Sequence, residues 1–339
     1  MERLSVLLPI MGIKMRSMHV FLFIMTLIPL GACSPKSTAP AQIISPVGTV
    51  QVETSAPEKT SVTPIPVTEA VFTPMLTRFP ITATNTPEEG HEFPVSATQP
   101  LPITIIYDNN QYDQRLNSVW GFSALIEYRD YILLFDTGGD GQMLMDNMRI
   151  LGIEPFQIDS VVLSHAHEDH TGGLTALLDT GAKPVVYLLP SFPASFKRQI
   201  EKITQVIEVS PGQAFTDGLW TTGEVGGMIP EQALVIQTEQ GLVVITGCAH
   251  PGIVAIVEQA QILFAEPVYL VLGGFHLDNK SEAEIDAILM DFKRLEVKQI
   301  APCHCTGEYA ITRFVAEFGK DFIQVGARSV IRLEASISK

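Results

Sequence analysis

The segment SVVLSHAHEDHTGG at residues 160–173 concentrates side chains that can bind metal ions. The six residues from His165 to His170 include three histidines, one aspartate and one glutamate, in a chain that has only 8 histidines. Neutral imidazole and carboxylate suit Zn(II), and also Fe(II) or Mn(II). The segment therefore predicts a site for divalent ions, and a polar, solvent-exposed turn is the alternative interpretation.

The apolar residues 161–163 predict that this segment leaves a buried strand. Because side chains alternate along a strand, we expect His165 and His167 to point the same way and to bind one ion together. Asp169 and His170 come where the chain turns toward the next helix, so we expect them to hold a second ion beside the first.

Further candidate ligands follow other apolar runs of the chain. Any one of these histidines alone fits a core or surface position as well as it fits a metal ligand. Four separate clusters at strand ends make a shared site the better interpretation. The later candidates are Cys248 and His250, then His276, then Cys303, His304 and Cys305.

Residues 101–339 carry the pattern of a domain that can position these groups. Early apolar runs form hairpins, one of which turns at Arg129–Asp130. A strand is predicted over residues 160–167 and a helix from Thr171 to Asp179, and later apolar runs alternate with segments of helical spacing. This order predicts an α/β domain with mixed sheets and helices packed outside them.

Together these motifs resemble the metallo-β-lactamase superfamily, through the pattern His-x-His-x-Asp-His at residues 165–170. The segments FDTGG, SHAHEDHTGG, TGCAHPGI, GGFHL and PCHCTG are similar to a subgroup of metal-dependent hydrolases that includes an archaeal dihydropterin–aminobenzene ribosyl-phosphate synthase. The resemblance covers nearly all of residues 101–339. It implies a four-layer αββα sandwich with mixed sheets, with the site at one edge of the sheets.

The resemblance also implies a site for two metal ions. His165 and His167 would bind the first ion, and Asp169 and His170 would bind the second. His304 matches the last histidine of the family pattern and would complete the second site. Asp136, in the segment FDTGG, would brace the ligand loop from behind the ligands.

Two positions depart from the family pattern. Many relatives carry a histidine in a T-P-G-H loop where this chain reads TTGEV, with Glu224, and a bridging aspartate where this chain has Gly247 and Cys248. We therefore expect His250, from the displaced loop, to supply a ligand. Cys248, Glu224 and His276 are further candidate ligands, in falling order.

A pair of divalent ions, Zn or else Fe or Mn, predicts hydrolytic chemistry. Water bound between two ions has its pKa lowered from ~15.7 to near ~7, which makes hydroxide available at neutral pH. The metal-bridged hydroxide would attack a small ester, lactone or phosphoester, with Asp169 orienting it. One alternative is a pterin-type condensing transferase, as the resemblance implies, and another is a non-catalytic lipoprotein that binds metal or another ligand.

The N-terminal segment predicts export. Basic residues precede an apolar run from Val20 to Leu30, which is the layout of a signal peptide and too short to span a bilayer. Leu30–Gly31–Ala32–Cys33 resembles the bacterial lipobox, in which the cysteine is acylated; an ordinary signal peptide is the alternative. We expect residues 1–33 to be a lipoprotein signal peptide and the mature protein to be extracytoplasmic and membrane-anchored at Cys33.

Residues 34–100 predict a tether between that anchor and the domain. The segment holds 11 of the chain's 23 prolines, together with many Thr, Ser and Ala residues. Such a composition buries too little apolar surface to offset the entropy of ordering, so we expect a disordered linker.

The net charge bears on the kind of partner, and the cysteine count bears on disulfide bonds. The formal net charge of −15 argues against nucleic acid, whose binding requires clustered Lys and Arg, and leaves a small-molecule substrate. Beyond Cys33 the cysteines are Cys248, Cys303 and Cys305, an odd number. We favour free thiols near the metal, and a bond from Cys248 to one of the other two is the alternative.

Overall fold

The computed structural model describes residues 99–116 and 118–335. The predicted signal peptide and all but the last two residues of the predicted tether lie outside this range, so they stay predictions. The first strand begins at Gln99, just before the domain start predicted at Leu101. Within the described part of the chain, no helix is long and apolar enough to cross a membrane.

Strands of both sheets are mostly short and strongly apolar. In chain order they are β1 (Gln99–Tyr107), β2 (Ser123–Tyr128), β3 (Tyr131–Phe135), β4 (Ser160–Val162), β5 (Val185–Leu188), β6 (Val206–Glu208), β7 (Ala214–Thr216), β8 (Leu219–Thr221), β9 (Leu234–Thr238), β10 (Gly241–Thr246), β11 (Val268–Gly274), β12 (Gln299–Cys303) and β13 (Val330–Ala335). One sheet has seven strands in the order β13-β1-β2-β3-β4-β5-β6, and the other has six in the order β12-β11-β10-β9-β8-β7. Both mix parallel and antiparallel pairs.

Helices begin and end at clear local signals. They are α1 (Gly141–Leu151), α2 (Glu168–Thr171), α3 (Leu174–Asp179), α4 (Ala194–Ile200), α5 (Ile253–Phe264), α6 (Glu282–Arg294) and α7 (Glu308–Phe318). The Asp140 side chain caps α1 by accepting from the Met143 N–H, and α1 ends at Gly152 in the left-handed conformation. At the start of α6, Ser281 and Glu284 form a reciprocal capping box.

Successive side chains of the central strands point alternately into two hydrophobic clusters. In β10, Val243 and Ile245 face the core between the sheets, whereas Leu242 and Val244 face a second cluster that packs against α5, α6 and α7. On the other side, Leu144 of α1 packs against the first sheet. The result is the predicted αββα sandwich, with helices outside two stacked sheets.

Of the local predictions for residues 129–179, one is confirmed and two are wrong in their bounds. The hairpin at Arg129–Asp130 is confirmed, since Tyr128 pairs with Tyr131. The strand predicted over residues 160–167 is too long, because β4 ends at Val162. The helix predicted from residue 171 is two short helices, separated at Gly172–Gly173.

Candidate metal centre

The loops that leave four strands meet at one edge of the sandwich. The loop after β4 carries the histidine-rich motif, and the loops after β10, β11 and β12 carry the later candidates. His165 and His167 converge although neither lies on a strand. The expectation that strand alternation orients them is therefore wrong, since the loop backbone does so instead.

Three histidines form the first group of donor atoms, which we call cluster one: His165, His167 and His250. His167 Nδ1 lies 3.1 Å from His165 Nε2 and also 3.1 Å from His250 Nε2. Nitrogen ligands at 2.0–2.1 Å from a tetrahedral zinc ion lie about 3.3 Å apart. The spacing of cluster one therefore fits a single metal ion among the three rings.

Four residues form the second group, which we call cluster two: Asp169, His170, Cys248 and His304. His170 Nε2 lies 3.1 Å from Cys248 Sγ and 3.6 Å from Asp169 Oδ2. His304 Nε2 is buried and lies 3.3 Å from Asp169 Oδ2, yet it has no hydrogen-bond partner among the described residues. A buried ring nitrogen without a partner, aimed at a carboxylate and a thiol, fits a second metal ion.

A third group shares Cys248 with cluster two. The donor atoms of Cys248, His276 and Cys305 lie within 4.8 Å of one another, and we call this group cluster three. Cys305 Sγ donates to the Cys248 carbonyl oxygen at 3.6 Å. His276 is exposed, and its ring centroid lies 4.3 Å from that of His250.

Asp136 holds the motif from behind. Its Oδ1 accepts from the Ser164 N–H at 2.7 Å, and its Oδ2 accepts from Ser164 Oγ and His170 Nδ1, both at 2.7 Å. Because a carboxylate only accepts, His170 Nδ1 carries a proton, and Nε2 faces cluster two, where it would bind a metal ion in exchange for its own proton. A Cβ at Gly247 would lie 2.2 Å from Ser164 Oγ, so glycine is required for the two loops to approach.

Residues that follow β1 hold His304 in the same manner. The buried Asp108 carboxylate accepts from the His304 N–H at 3.1 Å. Asn109 Oδ1 lies 2.9 Å from His304 Nδ1, and its Nδ2 donates to the His304 carbonyl oxygen at 3.2 Å. The sequence analysis missed both residues, although they directly follow an apolar run.

Glu231 is the other residue that the sequence analysis missed. Its fully buried carboxylate accepts four backbone N–H groups, at distances from 2.8 to 3.0 Å. Burial raises the pKa of Glu231, and the N–H donors counteract that rise. The donors are Gly247, Cys248, Ala249 and His250, so Glu231 shapes the loop that serves both clusters.

Glu224 does not join the site. Its side chain accepts from the Ser191 N–H at 3.3 Å, and it belongs to none of the metal-binding groups among the described residues. The structure therefore does not bring this candidate ligand to the other donors. Cys303 and Cys305 have different neighbours, because β12 ends at Cys303 and a 3-10 turn follows. Cys303 lies beside Asp108, whereas Cys305 faces Cys248, and all three thiols are free.

Burial and neighbouring rings keep His165 and His250 of cluster one neutral. Burial, together with the rings of His170 and His250, holds the pKa of His165 far below its usual range. Burial and the nearby His276 ring lower the pKa of His250 to about 4. Both rings therefore keep a lone pair available near pH 7, which is the form that binds metal.

Carboxylates dominate the electrostatics of cluster two. Burial disfavours the charged form of His170, but the Asp136 carboxylate outweighs it and raises the pKa of His170 to about 9. Burial also opposes ionisation of Asp169, but the His304 and His170 rings hold its pKa below the usual range. Asp169 is therefore an anionic ligand near pH 7.

Backbone strain is concentrated at this edge. Asp136, Ala249, His276 and His304 all have positive φ, between 49° and 61°. For a residue with a Cβ this conformation costs roughly 1–2 kcal/mol. Such strain persists where the surroundings fix the backbone, and it is frequent at functional sites.

Sequence comparisons agree with this geometry. The family model described as the Metallo-beta-lactamase superfamily matches residues 121–260. Over 280 residues the chain is 31% identical to 7,8-dihydropterin-6-methyl-4-(beta-D-ribofuranosyl)-aminobenzene-5'-phosphate synthase of Methanocaldococcus jannaschii, which spans 68% of this chain and 95% of that protein. An uncharacterised protein of the same organism is 29% identical over 249 residues, 62% of this chain and 93% of its own.

Solved structures share the fold. A crystal structure of a metal-dependent hydrolase of the beta-lactamase superfamily matches with a TM-score of 0.58 and 29% identity, covering 70% of this chain and 99% of that one. The metallo-beta-lactamase fold protein YhfI from Bacillus subtilis matches with a TM-score of 0.52 and 18% identity, over 69% and 99% of the two chains. The second likeness concerns the fold alone.

Proposed function

The chain belongs to the metallo-beta-lactamase superfamily, and on that premise we propose that it is a metal-dependent hydrolase of a small ester, lactone or phosphoester. The observation that carries the proposal is the convergence of seven donor residues in two adjacent clusters at one edge. The 29% identical structure described as a metal-dependent hydrolase supports it.

Each cluster offers one divalent ion a set of donors, with zinc as the metal most suited to imidazole, thiolate and carboxylate. Two ions there would lower the pKa of bound water and polarise the oxygen of the electrophile. The neutral rings of His165 and His250 would neutralise none of the charge of an ion bound at cluster one, so that ion would stay strongly electrophilic. Asp169, which is 21% exposed and faces both His170 and His304, is placed to orient the attacking water.

Metal analysis combined with a substrate panel tests this proposal. Purified protein should contain two divalent ions per chain and should hydrolyse members of an ester, lactone and phosphodiester panel. Chelation should abolish turnover, and added Zn, Mn or Fe should restore it. A protein that contains metal but hydrolyses no member of the panel would contradict the proposal.

A condensing activity is the second candidate, because the 31% identical archaeal relative is a synthase. The two activities use the same metal site but yield different products. Product analysis distinguishes them, since a hydrolase yields two fragments from one substrate and a synthase joins two substrates. The non-catalytic alternative predicts metal binding without either product.

We also propose export and lipid anchoring at Cys33, supported by the basic and apolar segments that precede Leu30–Gly31–Ala32–Cys33. Mass spectrometry of the mature N-terminus is the direct test. An acylated Cys33 is expected, and a free terminus at any other residue would contradict the anchor.

A further inference from the structure

A cavity of about 570 Å³ opens beside cluster one. Its wall is formed by residues 249–255, which lead into α5, by residues 275–277 after β11, and by one side of α6. Its size lies within the range of about 300–1,000 Å³ that is usual for small-molecule sites.

The cavity is continuous with the candidate metal centre. His250, whose Nε2 belongs to cluster one, lines the cavity, and so does His276 of cluster three. The two rings lie 4.3 Å apart between centroids, so together they form the boundary between cavity and metal centre. A molecule whose reacting bond lies at cluster one can therefore extend its remaining part into the cavity.

The wall of the cavity is mainly apolar. Pro251, Val254 and Ile288 are among the lining residues, and all three are half-buried, so part of each side chain is open to water. An occupant that covers these side chains removes apolar surface from water, which favours binding.

Each carboxylate and ammonium group of the wall already has a partner. Lys280 Nζ pairs with Glu284 at 2.9 Å, and Glu258 pairs with Arg294 at 2.7 Å. A charged occupant would have to displace one of these pairs or leave its own charge without a partner. The wall therefore favours an uncharged group.

We propose that the cavity binds an uncharged, apolar acyl or aryl part of the substrate, next to the bond that reacts at cluster one. The inference rests on the proposed function, because it takes cluster one as the reacting centre. It defines the substrate class as esters or phosphoesters that carry a bulky apolar group.

Two alanines of α6 provide a matched pair of variants for the test. Ala287 lines the cavity, whereas Ala283, one turn earlier on the same helix, does not. Both residues are exposed, so tryptophan at either position should leave the fold intact. Only Ala287→Trp should fill the cavity.

Binding is measured first, with the neutral fluorescent probe N-phenyl-1-naphthylamine and metal-loaded protein. We expect wild type and Ala283→Trp to bind the probe alike and Ala287→Trp to bind it at least tenfold more weakly. His167→Ala, which lacks a cluster-one donor, should bind like wild type, since the probe needs no metal. Equal binding by Ala287→Trp and Ala283→Trp would overturn the proposal.

Turnover is measured second, on phenyl esters with acyl chains from acetyl to octanoyl and on methyl and naphthyl acetates. In wild type and Ala283→Trp, kcat/KM should rise at least tenfold as either the acyl group or the alcohol group of the ester becomes larger. The comparison of the two series shows which of these groups enters the cavity. Ala287→Trp should remove that rise. No dependence on either group would overturn the substrate class. No turnover of any of these esters or of the lactones and phosphodiesters of the wider panel, with probe binding intact, would instead refute the proposed hydrolysis and leave the cavity as an apolar binding site.

Discussion

Cluster one and cluster two differ in how firmly the fold holds them. In cluster two, His170 is fixed by Asp136 and His304 by Asn109, and both rings are buried. In cluster one only His165 is fully buried, whereas His167 and His250 are half-buried. Preorganised donors lose less entropy when they bind, so we infer that cluster two holds its ion more tightly and that cluster one exchanges its ion and water more freely.

Glu231 supports both clusters, so its removal should have the largest effect. Glu231→Ala leaves four buried backbone N–H groups without an acceptor, and each orphaned donor costs about 1–3 kcal/mol. The sum is comparable with the whole stability of a domain, about 5–15 kcal/mol. We expect a loss of at least ~4 kcal/mol in the free energy of unfolding, measured by urea denaturation.

Two further variants show whether the loss comes from these hydrogen bonds. Glu239→Ala removes an exposed glutamate in the turn before β10 and should change stability by less than ~0.5 kcal/mol. Glu231→Gln keeps one acceptor oxygen and should fall between the other two. If Glu231→Ala is as stable as Glu239→Ala, then Glu231 does not hold the loop.

Removal of one ligand from each cluster tests the difference in affinity directly. His167→Ala should lose the cluster-one ion and keep one tightly bound ion, while Asp169→Ala should lose the cluster-two ion. Elemental analysis after dialysis against a weak chelator should therefore find more metal in His167→Ala than in Asp169→Ala. Any hydrolytic rate should fall in both, with unchanged circular dichroism. Full metal content in Asp169→Ala would show that the cluster is wrongly assigned.

Asp136→Asn should weaken cluster two selectively. The amide keeps an oxygen for the Ser164 N–H but presents an NH₂ group to His170 Nδ1, which favours the tautomer with its proton on Nε2. That proton blocks the lone pair needed for a metal ion. We expect a loss of about 10–100-fold in the affinity of the cluster-two ion, by competition with a zinc chelator. The cluster-one ion should be affected less, because Asp136 reaches His165 only through Ser164 Oγ. Equal weakening of both ions would contradict this order.

The fold was predictable where the sequence repeats a pattern over several residues. The hairpin of β2 and β3 shows as two apolar runs on either side of a polar pair, and the helix α6 is long enough for its period of 3.6 to stand out. The strands β6, β7 and β8 have three residues each, which is too short for any period. Gly172–Gly173 divides a helical segment because two glycines offer no side chain to favour the helix over other conformations.

The site was predictable where its residues are contiguous or follow a strong strand. The motif at residues 165–170 brings its donors together locally, and His250 and His304 each follow a strand that ends at the same edge. Glu231 and Asp108 could not be found this way, because a single buried acidic residue has the same appearance in a sequence as an exposed one. Their role depends on backbone N–H groups that only the folded loops bring to them.

His276→Ala should have the smallest effect on metal content. His276 is exposed and belongs to neither cluster one nor cluster two, but it lines the cavity beside them. We expect elemental analysis to find wild-type metal content in this variant, while KM for substrates with an apolar group changes more than kcat. His167→Ala is the comparison, because it removes the same type of side chain from a position that belongs to cluster one. If His276→Ala loses more metal than His167→Ala, cluster three rather than cluster one holds an ion, and the two-cluster assignment is wrong even though the fold is right.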